Sequence, residues 1–208
     1  MVNRLRVKMC GMTREQDIAY AAALGVDAVG LIFYPKSPRS VSVEQAKKLI
    51  QAVPAFLDIV AVMVNPDTSF VKVIVEELPV HYLQFHGDES PKFCTQFKKP
   101  YIKAIQAHSS AFINEKCSEY AEAVAILLDT PSTSHGGTGK IFDWTIIPDT
   151  LRKPIILAGG LTAKNIEMIT NKKSLYAVDV CSGVESSPGV KDHDKMKQFV
   201  NALWGNYE

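Results

Sequence analysis

The 208-residue sequence has only four cysteines, Cys10, Cys94, Cys117 and Cys181, and no C-x-x-C pair. That spacing argues against a zinc knuckle or a redox dithiol and leaves reduced thiols in a cytosolic protein as the simplest account. An excess of charge is also missing. With 23 Lys and Arg against 22 Asp and Glu there is no basic field to attract nucleic acid, so an anionic ligand must be held locally. Apolar runs such as Ile59 to Val64 fall well short of the roughly 18 residues a membrane span needs. The start, MVNRLRVKMCG, lacks the apolar stretch of a secretory leader. A soluble, cytoplasmic protein with no membrane or nucleic-acid partner is expected. No Gly/Ser-rich or Pro-rich linker divides the chain, so residues 1–208 are expected to form one domain.

What the sequence does contain is a regular alternation. Strand-like runs at Leu5–Cys10, Ala28–Phe33, Ile59–Val64, Tyr82–His86, Tyr101–Ile105, Ala125–Asp129, Ile155–Ala158 and Ala177–Cys181 alternate with segments of helical spacing. Examples of the latter are SVEQAKKLIQAV and SFVKVIVEEL; the helices of the fifth and sixth units look short or irregular. Strand and crossover helix repeated eight times imply parallel strands closed into a single-domain (β/α)8 TIM barrel. An open doubly wound sheet is the structural alternative. Its dinucleotide-binding form places G-x-G-x-x-G after the first strand, where this sequence has Cys10-Gly11-Met12-Thr13.

Chemistry in such a barrel gathers at the C-terminal ends of the strands. Side chains two apart on a strand share a face, so Arg6, Lys8 and Cys10 share one and Leu5, Val7 and Met9 the other; the apolar set is expected to face the helices, which puts Lys8 and Cys10 inside the barrel. By the same rule Gln84 and His86 share a face, as do Asp179 and Cys181. A cysteine, a histidine and two aspartates therefore converge on one rim. Cys10 lies two residues from Lys8 and precedes a helix whose start is marked by Thr13 and Gln16 at capping-box spacing. A nearby cation and a helix N-terminus both favour its thiolate, a base or nucleophile. Asp129 ends an apolar run, and burial there would suit a general acid; an N-cap or loop anchor is the plainer alternative. His86 is expected to anchor the Gly87-Asp88 turn, and Asp179 to partner Lys8. Cys94 and Cys117, in helical segments, are expected to be inert core thiols.

Gly159-Gly160 and Ser182-Gly183 follow the seventh and eighth strands, where these barrels build phosphate sites from backbone N–H groups. Gly137, Thr138 and Gly139 belong to a third loop that could fold over the same corner. Arg39, in YPKSPRSV, has the planar fork that grips a carboxylate. Together these suggest a small ligand with a phosphate at one end.

Taken in order, KMCGMT, GLIFYPKSPRSVS, LQFHGDE, LLDT with GGTGKIFDW, LAGGLTAKNI and VDVCSGVESSPGVKDHDKM resemble the phosphoribosylanthranilate isomerase family over nearly the whole chain. The resemblance implies an isomerase of tryptophan biosynthesis that performs an Amadori rearrangement by acid/base catalysis. It further implies Cys10 as general base, Asp129 as general acid, Arg39 on the anthranilate carboxylate, and the glycine loops on the phosphate. Lys8, His86 and Asp179 would be supporting residues. No redox cofactor is implied, because no step passes electrons to an acceptor, and no metal, because the protonated imine itself draws electrons from C2'; a monomer or homodimer is expected. Cys181 stands where the family more usually has serine or asparagine. Two other readings use the same scaffold. A metal-dependent sugar-phosphate epimerase or lyase would want several His and Asp ligands at strand ends, where only His86 of the histidines falls. A non-catalytic phospho-ligand-binding barrel would leave Cys10 and Asp129 unexplained.

Overall fold

The computed structural model describes residues 4–131, 141–169, 172 and 174–205. Eight parallel strands, β1 (Arg6–Cys10), β2 (Ala28–Ile32), β3 (Asp58–Met63), β4 (Tyr82–Phe85), β5 (Tyr101–Gln106), β6 (Ala125–Asp129), β7 (Ile155–Leu157) and β8 (Leu175–Val180), close into a barrel in chain order. Between them run α1 (Glu15–Ala23), α2 (Val43–Ile50), α3 (Thr68–Glu77), α4 (Pro91–Thr95) and α5 (Ser110–Glu119), with α6 (His193–Trp204) last. A short antiparallel hairpin, β9 (Glu185–Ser187) and β10 (Val190–Lys191), follows β8. The sequence pattern missed it because two or three residues carry no usable period.

Period-two alternation sorts the two faces as expected. Val7 and Met9 are fully buried in the large core between sheet and helices. Cys10 belongs to a second cluster with Val62, Ala104, Leu127 and Ile156, which fills the barrel interior. Lys8 and Asp179 share that interior as an ion pair at 2.8 Å, in register across β1 and β8. Two facing charges survive burial there because each neutralises the other. Gly30 on β2 makes the room: a Cβ built on it would lie 2.7 Å from the Cys10 sulfur and 3.2 Å from Lys8 Nζ.

The helices differ from expectation in two ways. α5 is a regular ten-residue helix with Ser109 accepting from the Phe112 N–H, whereas among the described residues the sixth unit, irregular as expected, and the seventh carry only 3₁₀ turns, Trp144–Ile146 and Ile166–Ile169. The capping box expected at Thr13 does not form. α1 starts at Glu15 with Arg14 as its N-cap, and the Thr13 hydroxyl donates to the Gly189 carbonyl. Tertiary structure has taken the capping hydroxyl to tie down the β9–β10 hairpin. The box that does form is on α2, where Ser42 and Gln45 satisfy each other's backbone N–H groups. Cys94 and Cys117 are buried in α4 and α5, and burial pushes the Cys94 thiol up to about 12, as inert core cysteines require. Among the described residues no helix is long and apolar enough to cross a membrane.

Candidate active site at the C-terminal mouth of the barrel

A cavity of about 450 Å³ opens at the C-terminal ends of the strands. It brings together Cys10 from β1, Arg39 from the loop after β2, His86 after β4, Asp129 from β6, Gly159 and Gly160 after β7, and Asp179, Ser182 and Gly183 around β8. Gly137, Thr138 and Gly139 lie outside the described residues. Lys8 lies one layer below, reaching the cavity through Asp179. Lys8 uses one Asp179 oxygen; the other, Oδ1, is buried without a protein partner. Burial alone would lower the Lys8 ammonium's pKa, but the Asp179 carboxylate reverses this and raises it. Burial raises the Asp179 carboxyl despite Lys8.

His86 does not anchor the Gly87-Asp88 turn. Its ring Nδ1 meets the Gln84 amide nitrogen at 3.0 Å and its Nε2 meets Asp129 Oδ2 at 3.1 Å. The turn is held instead by Glu89, which accepts from the Asn65 and Gly87 N–H groups, and by Asn65, which accepts from the Asp88 N–H. Gln84, donating to Nδ1, leaves the ring proton on Nε2, where it donates to Asp129. The Thr130 N–H donates to the other Asp129 oxygen at 2.8 Å. Asp129 is therefore oriented by two donors, one on each oxygen.

Cys10 also departs from expectation. Its thiol is pushed well above the usual cysteine value by its hydrogen bond with Cys181 and by burial, and Lys8 only partly offsets them. Cys181 is pulled down to about 7 by the same hydrogen bond and by Lys191 and Arg39. The helix terminus invoked for Cys10 is also more remote than expected, since α1 begins at Glu15. Arg39 is already engaged: Nε and Nη2 grip Glu185 at 2.6 to 3.1 Å, leaving the remaining edge of the guanidinium for a ligand. Glu185, Lys191 and Gln84 were not identified from sequence. Period-two spacing ahead of His86 marked Gln84's face, but nothing in VESSPGVK signalled that Glu185 and Lys191 fold back against Arg39.

The phosphate-type loops are tightly built. Gly159 and Gly160 have φ of +83° and +64°, and Asn165 ties the loop by bonding the Thr162 N–H and the Gly160 carbonyl. A Cβ on Gly183 would stand 1.8 Å from the Leu161 carbonyl oxygen, so the two loops touch backbone to backbone. Gly183→Ala is expected to push them apart and raise KM for a phosphorylated substrate by about tenfold or more. Steady-state kinetics alongside a thermal melt check this, and an unchanged KM in a folded variant would refute it.

A (β/α)8 barrel with acid/base groups and glycine loops around one polar mouth defines an enzyme acting on a small phosphorylated molecule. The profile described as "PRAI: N-(5'phosphoribosyl)anthranilate (PRA) isomerase" matches residues 7–202. An N-(5'-phosphoribosyl)anthranilate isomerase of Legionella pneumophila (strain Lens) is 59% identical over 204 residues, 98% of this chain and 99% of that one. The protein of the same name from Azotobacter vinelandii is 48% identical over 96% of this chain and 97% of its own. Among solved structures, phosphoribosyl anthranilate isomerase from Thermotoga maritima superposes with a TM-score of 0.88 at 36% identity, covering 97% of this chain and all of that one. The chain belongs to the phosphoribosylanthranilate isomerase family. It is an isomerase of tryptophan biosynthesis, converting N-(5'-phosphoribosyl)anthranilate to 1-(2-carboxyphenylamino)-1-deoxyribulose 5-phosphate.

Proposed function

We propose that Cys10 is the general base and Asp129 the general acid of this isomerisation. The observation that carries the reading is that both line one cavity, from non-adjacent strands β1 and β6, with the glycine loops of β7 and β8 on its wall. The sugar's phosphate sits at Gly159-Gly160 and Ser182-Gly183, where closely approaching backbone leaves N–H groups for an anion. A solved phosphoribosyl anthranilate isomerase, 34% identical over 97% of this chain with a TM-score of 0.85, is in complex with reduced 1-(o-carboxyphenylamino)-1-deoxyribulose 5-phosphate. That ligand's phosphate and carboxylate ends suit the glycine loops and Arg39 here.

The steps follow from the chemistry of the substrate. Asp129 protonates the furanose ring oxygen as the bond between that oxygen and C1' breaks, which opens the sugar to a protonated imine. The imine draws electrons from C2', so the C2' proton is acidic and passes to Cys10. The resulting enolamine tautomerises to the ketone. Asp179 supports the site from the cavity wall, with its Oδ2 on Lys8. A monomer or a homodimer is expected, as a solved relative from Thermotoga maritima is described as monomers generated from a dimeric phosphoribosylanthranilate isomerase. Residues 1–208 serve as one catalytic domain, in which the Trp204 indole N–H donates to the Leu5 carbonyl at 2.8 Å.

Purified protein is expected to quench phosphoribosylanthranilate fluorescence, and Arg39→Ala to raise KM more than it lowers kcat, because its contact lies away from C2'. An unchanged KM would remove Arg39 from the carboxylate site.

A further inference from the structure

Cys181 is not part of the reading above, yet two cations stand around it, with the Glu185 carboxylate 4.0 Å from its sulfur. β1 and β8 pair with Met9 opposite Val180, so the next step of the register sets Cys10 opposite Cys181, and both line the cavity. Arg39 and Cys181 also flank Gly11: a Cβ there would lie 2.8 Å from Arg39 Cδ and 3.1 Å from the Cys181 sulfur. Lys191, whose side chain is fully buried, places Nζ 3.9 Å from that sulfur and 3.1 Å from the Cys181 carbonyl.

A count of charges assigns the anion. Beside Cys10, Lys8 is paired with Asp179 and the two cancel. Beside Cys181 stand two cations, Arg39 and Lys191, against the single carboxylate of Glu185, which both of them contact. Lys191 is fully buried and Arg39 faces the cavity, so the two carry one positive charge more than Glu185 offsets, and a charge so placed favours an anion beside it. A thiolate on Cys181 neutralises it.

We propose that Cys181 is the proton acceptor for Cys10, a positioning residue that makes Cys10 a base only when substrate is bound. This rests on Cys10 as base. In the free enzyme the charge sits on Cys181 and the proton on Cys10. When the substrate carboxylate meets Arg39, it competes for the same positive charge and makes the Cys181 anion less favourable. The proton then moves from the Cys10 sulfur to the Cys181 sulfur, leaving the thiolate on Cys10, at C2'. Cys10 next takes the C2' proton as the C–H electron pair enters the imine. Atoms and electrons balance with no further reagent.

Two measurements test this. In the free wild-type enzyme near neutral pH, iodoacetamide followed by peptide mass mapping is expected to label Cys181 ahead of Cys10; labelling of Cys10 first overturns the assignment. The kcat/KM profile reports ionisation in the free enzyme. Its acid limb is expected to lie close to pH 7, where Cys181 titrates, and in Cys181→Ser to move up by about one pH unit or more, because an alcohol holds no anion. The groups facing this pair, Lys8, Asp179, Arg39, Glu185 and Lys191, are unchanged in that variant. A folded Cys181→Ser with an unmoved limb overturns the relay. Loss of turnover in Cys10→Ala keeps the base assignment standing in that event, whereas retained turnover would fell both.

Discussion

Replacing Cys10 by alanine is expected to lower kcat by about 10²- to 10⁴-fold, the range a positioned proton acceptor contributes. The loss should fall on kcat and leave KM nearly unchanged, because the thiol meets the substrate at C2' and the binding groups, Arg39 and the glycine loops, lie elsewhere on the wall. The fold should hold. Only the sulfur is removed, and the Lys8–Asp179 pair behind it keeps its 2.8 Å contact. A melting temperature within about 5 °C of wild type fits such a small deletion. The variant should still open the sugar ring, since Asp129 is intact, but should not exchange the C2' hydrogen with solvent deuterium. Turnover within about tenfold of wild type would mean that another group takes that proton.

Asp129→Asn is the second large effect. Asparagine keeps the shape but has no proton of comparable acidity to give, while its amide oxygen can still accept from the His86 Nε2–H that Asp129 Oδ2 now meets at 3.1 Å. Turnover should fall by about 10²- to 10⁴-fold. This block lies upstream of the one in Cys10→Ala. Asp129→Asn should show neither ring opening nor C2' exchange, so a spectroscopic signal of the open imine separates the two variants. An open imine accumulating in Asp129→Asn would show that something else protonates the ring oxygen. His86→Gln should give a smaller loss in the same step, since the ring orients Asp129 and does not touch the reacting bond in the reading proposed.

The barrel was legible because its signals are local. Eight apolar runs at regular spacing, and a two-residue period that put Lys8 and Cys10 on one face and Val7 and Met9 on the other, depend only on backbone geometry that every strand shares. Strand ends follow from the same runs, which is why Cys10, His86, Asp129 and Asp179 could be placed on one rim before any coordinates. The motifs at those ends carried the family.

Partnerships were not legible, because they join residues distant in sequence. Thr13 had the spacing of a cap and spends its hydroxyl on Gly189, 176 residues away. His86 was adjacent to a turn it does not hold, and reaches Asp129 across β5 instead. Arg39 and Glu185 meet only because barrel closure returns the segment after β8 to β1 and β2. The same closure sets Cys181 beside Cys10. The residue types alone therefore determined a (β/α)8 isomerase with a cysteine and an aspartate at its mouth. Which sulfur carries the charge was decided by the fold, since a buried thiol's ionisation depends on the sum of the charges packed around it, and those charges come from four different segments of the chain.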